Sequence, residues 1–297
     1  GSEMCIRDRP YTVIGLMRTV ILFLLFFFGC ILLRLLIIVL YPIPVRKSSK
    51  QHLVCKLIQI TCKGILLVAT SVKKEHINKT NERFDRPAII IANHQSFIDI
   101  LVLLSLSSKI VMVTNHWVWH SPFFGAIIRY ADFYYIGEGY EQYVERMRKK
   151  VQEGYSIAIF PEGTRTYNGK MKRFHKGAFY LAETLQLDIL PILLYGNNRI
   201  IAKAQPFNIR KGIIYTEILP RIPVDDLSFG VTYQERTKRI SAYMRQEYAR
   251  ICREKNTTDN PAFYEALIQN YIYKGPVEEW YAVSYTHLRA HETRRHL

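Results

Sequence analysis

The chain has 297 residues, 49% of them hydrophobic, and a formal net charge of +16; that is enough for one or two domains with a sizeable core, and basic enough to favour an anionic partner. The basic residues accompany no aromatic ribonucleoprotein-type motif and no zinc-finger spacing, so nucleic acid is set aside in favour of a membrane surface or a phosphorylated substrate. Cys30, Cys55, Cys62 and Cys252 show no C-x-x-C spacing, which fits a reducing compartment and argues against structural zinc.

The opening GSEMCIRDR and the closing VSYTHLRAHETRRHL can encode each other in reverse complement. Codons for the first residues, read from the opposite strand, give VSYTHLRA, which is Val283–Ala290. The pair resembles translated sequencing-library adapter, so residues 1–9 and 283–297 are set outside the fold, and continuation of the natural chain past Ala282 stays open.

From Thr19 to Leu33 the sequence is continuously apolar; Arg34 interrupts it, and LLIIVLY carries it to Tyr41 before Pro42 and Pro44. The run reaches the ~20 residues that span a bilayer, with an in-plane or re-entrant course as the rival, because Arg34 is costly in hydrocarbon. Arg46, Lys47 and Lys50 then place the downstream side in the cytoplasm. In the next segment Leu53/Val54, Leu57/Ile58, Thr61/Cys62 and Ile65/Leu66 recur at helical spacing, with Lys50, Lys56, Lys63 and Lys73 around them. This predicts a basic amphipathic helix that lies on an anionic membrane or covers the domain behind it.

From Arg86 short apolar runs alternate with helical patterns. PAIIIAN, KIVMVT, FYYI, SIAIF, ILPILLY and GIIYTEIL read as strands. SFIDILVLLSL, the stretch around Pro122–Arg129, YEQYVERMRKKVQEG, FHKGAFYLAETL and Thr232–Lys255 read as helices. The alternation predicts an α/β fold, a largely parallel central sheet flanked by helices and preceded by a membrane-associated helical pair. The expected division is 10–80 for the pair, 81–225 for the α/β domain and 226–282 for a helical extension. Arg146, Arg148, Lys149 and Lys150 read as a solvated helix face. His116 and His120 stand at i, i+4, but with no third ligand in view no metal is assigned. The aromatic segment around them, HWVWHSPFFG, reads as packing on the membrane-facing side, with lining of a substrate tunnel as the alternative.

Two strand ends carry the chemistry. After IIIAN come His94 and, about one helical turn on, Asp99, with Ser96 as the expected helix N-cap. Loops at strand ends are where α/β sheets bind ligands, and a carboxylate on one imidazole nitrogen leaves the other free to take a proton. No protein nucleophile is needed if the substrate brings its own hydroxyl. After SIAIF comes FPEGTR, Phe160–Arg165: Pro161 and Gly163 set a tight turn, its N–H groups can bind an anion, and Arg165 can grip a phosphate.

Asn93-His94-x-Ser96-x-x-Asp99 followed by Phe160–Arg165 resembles the glycerolipid acyltransferase family, which includes the 1-acylglycerol-3-phosphate and lysophospholipid acyltransferases. Lys176-Gly177 resembles the usual continuation of the third family block, and Ile189-Leu190-Pro191-Ile192 the fourth; the likeness runs in detail from Pro87 to Tyr195. It implies transfer of a fatty acyl group from a coenzyme A or acyl-carrier-protein thioester to a lipid hydroxyl, with His94 and Asp99 catalytic and no metal or prosthetic group. Asn93, Ser96, Glu162, Gly163, Thr164, Arg165 and Lys176 are then the expected substrate-binding residues, with amides near Gly163 as candidates for the oxyanion site. The second block departs: Glu138 stands where the family shows an arginine that helps hold the acceptor's phosphate. The expected acceptor is 1-acylglycerol 3-phosphate; the alternatives are a non-phosphate lysolipid such as a lyso-aminolipid, or a membrane-anchored lipid-binding protein with a decayed site. The expected setting is a membrane, with the site on its cytoplasmic face.

Overall fold

The computed structural model describes residues 13–69, 72–137, 140–166, 169–204 and 206–255. The two adapter-like ends and Glu138 therefore lie outside the described residues. Two compact units divide at Ala242/Tyr243; of the second, only residues 243–255 are described.

The elements run in the order α1 (Val13–Leu40), α2 (Lys47–Val68), β1 (Val72–Asn78), β2 (Ile89–Ala92), α3 (Ile98–Leu106), β3 (Ile110–Thr114), α4 (His116–Trp119), α5 (Gly125–Tyr130), β4 (Tyr134–Tyr135), α6 (Tyr140–Gln152), β5 (Ser156–Ile159), α7 (Gly177–Leu185), β6 (Ile189–Tyr195), α8 (Asn197–Ile200), β7 (Gly212–Ile218) and α9 (Tyr233–Lys255). One seven-stranded sheet has the order β1-β7-β6-β2-β5-β3-β4. All neighbours are parallel except β6 and β7. The central strand β2 is fully buried from Ile89 to Ala92. A strand covered on both faces reads as an unbroken apolar run, which is why IIIA carries no alternation.

Edge strand β1 escapes the sequence reading. Its Lys73, Lys74, Glu75 and His76 show no apolar alternation, yet Val72–Asn78 pairs in parallel with Gly212–Ile218. Lys73 therefore lies in a strand and not on the face of the preceding helix, and charges along an edge protect it from pairing with other chains. The expected strand FYYI shortens to Tyr134–Tyr135. Ser96 is not the N-cap of α3: that position is Phe97, and the Ser96 hydroxyl donates to Ile201 O at 2.8 Å. Lys150 is also not solvated. It is 1% exposed, and Arg146 bonds Asp132 at 2.8 Å.

α1 and α2 are both long and apolar enough to cross a membrane. α1 nevertheless packs lengthwise on the domain. Thr19 Oγ1 accepts from Ile209 N–H at 3.0 Å, Phe26 meets Phe97 edge-on, and Arg34 donates to Pro122 O at 2.8 Å, so the charge that interrupts the apolar run has a protein acceptor. Gly29 marks the crossing with α2; a Cβ there would stand 2.7 Å from Thr61 Cγ2. The opposite face of α1, including Met17, Leu24, Phe28 and Ile31, is exposed.

Candidate active site

Three adjacent strands, β6, β2 and β5, deliver the site at one sheet edge. Their C-terminal ends lead into Asn197, His94 and Phe160–Arg165 respectively. Asn93 ends β2 by extending its pairing through the side chain: its amide donates to Leu194 O at 2.9 Å and accepts from Leu194 N–H at 2.8 Å. That locks the register at the point where the chain leaves the sheet.

His94 is fixed from four directions. Its N–H donates to Glu162 Oε1 at 2.8 Å, and its carbonyl accepts from Thr166 N–H at 2.9 Å. Its ring lies on the Phe160 ring, centroids 3.9 Å apart and planes 9° from parallel. Nδ1 is 2.9 Å from Asp99 Oδ2. An ionised carboxylate only accepts, so the proton between them sits on Nδ1 and Nε2 is left with its lone pair.

Asp99 is 0% exposed, and a buried carboxylate must be compensated by donors. Besides His94, Oδ2 accepts the N–H groups of Gln95 at 2.5 Å and Ser96 at 2.7 Å. Oδ1 accepts Asn197 Nδ2 at 2.7 Å. Two of these donors come from the loop that Asp99 itself helps to form, so the carboxylate shapes the loop and orients the imidazole at once.

The residues of FPEGTR divide between scaffold and opening. Glu162 is buried, and its second oxygen accepts Lys172 N–H at 2.7 Å. Its contacts tie the His94 loop to the segment after FPEGTR, which differs from the expected contact with the acceptor. Asn93 and Ser96 likewise face protein, bonded to Leu194 and Ile201. Gly163 takes φ +66°, a left-handed conformation natural to glycine, and its own N–H donates to Phe160 O at 3.0 Å. That amide closes the turn, so among the amides near Gly163 expected as oxyanion candidates its own is already engaged. Thr164 is exposed and accepts from Lys203 Nζ at 3.1 Å; the same ammonium donates to Arg165 O at 3.0 Å. Arg165 is half-buried, and Lys176 is exposed just before α7.

His94, Phe160 and Gly163 border a cavity of about 210 Å³. Its other walls are mainly apolar, with Cys30 and Leu33 from α1, Ile58 and Cys62 from α2, and Ile127 and Phe133 from the segment after β3; Thr61, Thr114 and Asn115 are the polar members. The aromatic segment divides its roles. Val118 and Phe124 line the cavity, while Trp117 is 64% exposed, a placement suited to an interface. Among the described residues no group of three metal-ligating side chains occurs.

The sequence reading missed Asn197, the Phe160 platform and Lys203. Asn197 had a signal: an Asn pair one glycine after a buried strand, at the edge that carries His94. Phe160 had none beyond its place in FPEGTR.

The fold and site together are those of an α/β domain in which a buried carboxylate is bonded to an imidazole beside a mainly apolar cavity, at the strand ends of a largely parallel sheet. Residues 70–195 match the Acyltransferase family. A chloroplastic 1-acyl-sn-glycerol-3-phosphate acyltransferase of Arabidopsis thaliana is 31% identical over 121 residues, 39% of this chain and 34% of the relative. The 1-acyl-sn-glycerol-3-phosphate acyltransferase of Cocos nucifera is 26% identical over 74% of this chain and 71% of the relative. The chain spans about a third to a half of the length of several other curated relatives it matches. The crystal structure of the 1-acyl-sn-glycerophosphate acyltransferase PlsC from Thermotoga maritima superposes with a TM-score of 0.68 at 19% identity, covering 84% of this chain and 98% of that one; it shares the fold.

Proposed function

We propose that the protein is a membrane-associated O-acyltransferase that moves a fatty acyl group from a coenzyme A or acyl-carrier-protein thioester to the hydroxyl of a lysolipid, with 1-acylglycerol 3-phosphate as acceptor and phosphatidic acid as product. The observation that carries this reading is the His94–Asp99 pair, 2.9 Å apart, held at the mouth of a cavity whose walls suit an acyl chain. The names of the relatives support the choice of acceptor.

In this mechanism the acyl chain occupies the cavity and the thioester carbonyl sits beside His94. Nε2 takes the proton of the acceptor hydroxyl as its oxygen attacks the carbonyl carbon. The new C–O bond forms, the C–S bond breaks, and the imidazolium returns its proton to the departing thiolate. General-base help of this kind supplies about 10²–10⁴-fold. Asp99 holds the tautomer and balances the imidazolium charge. Among the described residues the N–H groups of Thr164 and Arg165 take no protein acceptor, which makes them the remaining oxyanion candidates. Arg165 and Lys176 supply positive charge to the acceptor headgroup.

The exposed apolar face of α1 enters the outer part of one leaflet while its other face stays on the domain, an in-plane course in place of a span. The cluster Arg46, Lys47 and Lys50 supports a cytoplasmic placement, because the leaflet on that side carries the anionic lipids. A second reading keeps the chemistry and changes the acceptor to a non-phosphate lysolipid; Glu138, at the position of the family arginine, is what favours it.

The test is acyl transfer by the purified protein in detergent from acyl-CoA and acyl-carrier-protein donors to lysophosphatidate and a panel of lysolipids. Turnover of lysophosphatidate that His94→Ala abolishes is the expected result. Turnover of a lyso-aminolipid alone selects the second reading. No transfer with any pair leaves the lipid-binding alternative.

A further inference from the structure

At the sheet edge opposite His94 lies a polar cluster that the reaction does not use. Tyr155 stands just before β5, and Lys150 Nζ is 4.7 Å from the centre of its ring. The same ammonium donates to Gln51 Oε1 at 2.9 Å and Glu153 Oε2 at 3.0 Å, with Asp132 Oδ2 at 3.9 Å. Gln51 in turn donates to Tyr130 O at 3.0 Å. Lys150 and Gln51 are both buried, and ammonium groups are almost never taken out of water without a specific partner.

Gln51 belongs to the first turns of α2, and the helix buries one face: Gln51, Val54, Cys55, Ile58, Cys62 and Ile65. The last three of these line the cavity that holds His94. At 1.5 Å per residue, Gln51 and Ile65 are about 21 Å apart along the helix. The two ends are held differently. Gln51, His52, Cys55 and Gln59 make polar side-chain contacts to Tyr130, Tyr155, Ala131 and Ser105. Beyond Gln59, among the described residues, no polar side-chain bond from α2 is present.

Apolar packing alone discriminates weakly against a slip of one helical turn, about 5.4 Å. Shifting by four residues puts Val54 or Cys62 where Ile58 stands, an apolar group for an apolar group. The Lys150 slot is intolerant of the same slip. It would receive Cys55, which removes the α2 acceptor and leaves the buried ammonium to Glu153 and Asp132 alone, or Lys47, a like charge. Buried polar contacts are best attested as devices of this kind, fixing register and not adding stability.

We propose that the Lys150–Gln51 bond is a register pin for α2 and thereby sets the depth of the acyl cavity, making both residues positioning residues for acyl-chain selection. The part concerning acyl chains rests on the function proposed above.

The test uses the full chain in detergent with a ladder of saturated acyl-CoA thioesters from decanoyl to stearoyl, and four variants: Gln51→Leu, Gln51→Glu, Lys150→Met and the double Gln51→Leu/Lys150→Met. Pockets discriminate single methylenes by about 10–200-fold in kcat/KM. Loss of the pin is expected to flatten or displace the chain-length profile by about tenfold between neighbouring thioesters on that scale. Gln51→Glu keeps an acceptor for Lys150 but loses the donor to Tyr130 O, so it is expected to keep the wild-type profile at a lower melting temperature. The double variant removes the charge with its partner, folds, and still shows the altered profile. If every variant keeps the wild-type profile and only total activity or melting temperature falls, the pair is structural and the proposal is wrong.

A second measurement is independent of catalysis. Spin labels at the exposed Lys63 and Gln152 report the position of α2 on the domain. A broadened or shifted distance in Gln51→Leu, on the order of one turn, is expected; an unchanged distance overturns the pin. A wild-type protein without acyl transfer would overturn the function proposed above, while this distance would still decide the register.

Discussion

The side-chain amide of Asn197 donates to Asp99 Oδ1 at 2.7 Å, on the oxygen that His94 does not use. Asn197 is fully buried and opens the short helix after β6. It thus links the His94 loop after β2 to the neighbouring strand. A hydrogen bond to a charged group is worth about 1.5–3 kcal/mol. Removing it in Asn197→Ala lets the carboxylate turn and loosens the imidazole. The expected outcome is a fall in kcat of roughly 10- to 100-fold on that energy scale, with KM for the thioester little changed. Asn197→Asp is expected to be worse than Asn197→Ala, because it sets two carboxylates against each other in a buried site. Steady-state kinetics with both variants checks this; a KM effect without a kcat effect would remove Asn197 from the positioning role.

Asp99→Asn separates geometry from charge. The amide fits the same space, but its NH₂ cannot accept from the backbone N–H groups of Gln95 and Ser96 that now bond Oδ2. If its oxygen stays with those amides, its nitrogen faces the position of Asn197 Nδ2, donor against donor. The imidazolium also loses its counter-charge. Activity is expected to fall by about 10²–10⁴-fold, close to His94→Ala, because the imidazole works as a base only while the carboxylate orients it and balances its charge. Two substitutions on one base are non-additive, so the double variant His94→Ala/Asp99→Asn is expected to be no slower than His94→Ala alone. Additive losses in single-turnover rates would contradict a shared role.

Glu162 tests scaffold against substrate contact. Its two oxygens accept from His94 N–H and Lys172 N–H, so Glu162→Gln must turn an NH₂ group toward one of those donors. Leaving a buried donor unsatisfied costs about 1–3 kcal/mol. The expected result is a lower melting temperature together with a lower kcat, and no selective rise in KM for the acceptor. A KM effect confined to anionic acceptors, with stability unchanged, would return Glu162 to the substrate-contacting role that its place in FPEGTR suggests.

These tests mark where sequence pattern and three-dimensional structure part. The strand ends were legible because IIIAN and SIAIF are short buried runs that stop at polar residues, and a parallel sheet brings such ends to one edge. His94 and Asp99 were legible for the same reason. Burial of polar side chains was not. Glu162 looks like a surface acid beside a surface arginine, and only the backbone amides converging on it show that it is internal. Lys150 ends the sequence Arg146-Met147-Arg148-Lys149-Lys150 on a strongly charged helix, and nothing in it distinguishes the cation that turns inward to Gln51. Strand β1 was hidden because an edge strand next to solvent carries charges where inner strands carry isoleucine. In each case the partner is remote in sequence: 68 residues separate His94 from Glu162, and 99 separate Gln51 from Lys150.

The cavity itself can be tested by filling it. Ile58 sits on the buried face of α2 and borders the space beside His94. Ile58→Trp adds an indole to a cavity of about 210 Å³, and overpacking of this kind costs roughly 1–3 kcal/mol where there is no room. Here the empty volume accepts part of the ring, so the expected loss of stability is at the low end of that range. The acyl chain then meets a shorter tunnel. Transfer from long thioesters is expected to fall while transfer from short ones is kept, and KM for the acceptor is expected to stay the same because neither Arg165 nor Lys176 lines the cavity. If long and short donors lose activity equally, the chain does not run along α2. Unchanged profiles with a stable, folded variant would move the acyl site to another surface, even with His94 and Asp99 still required.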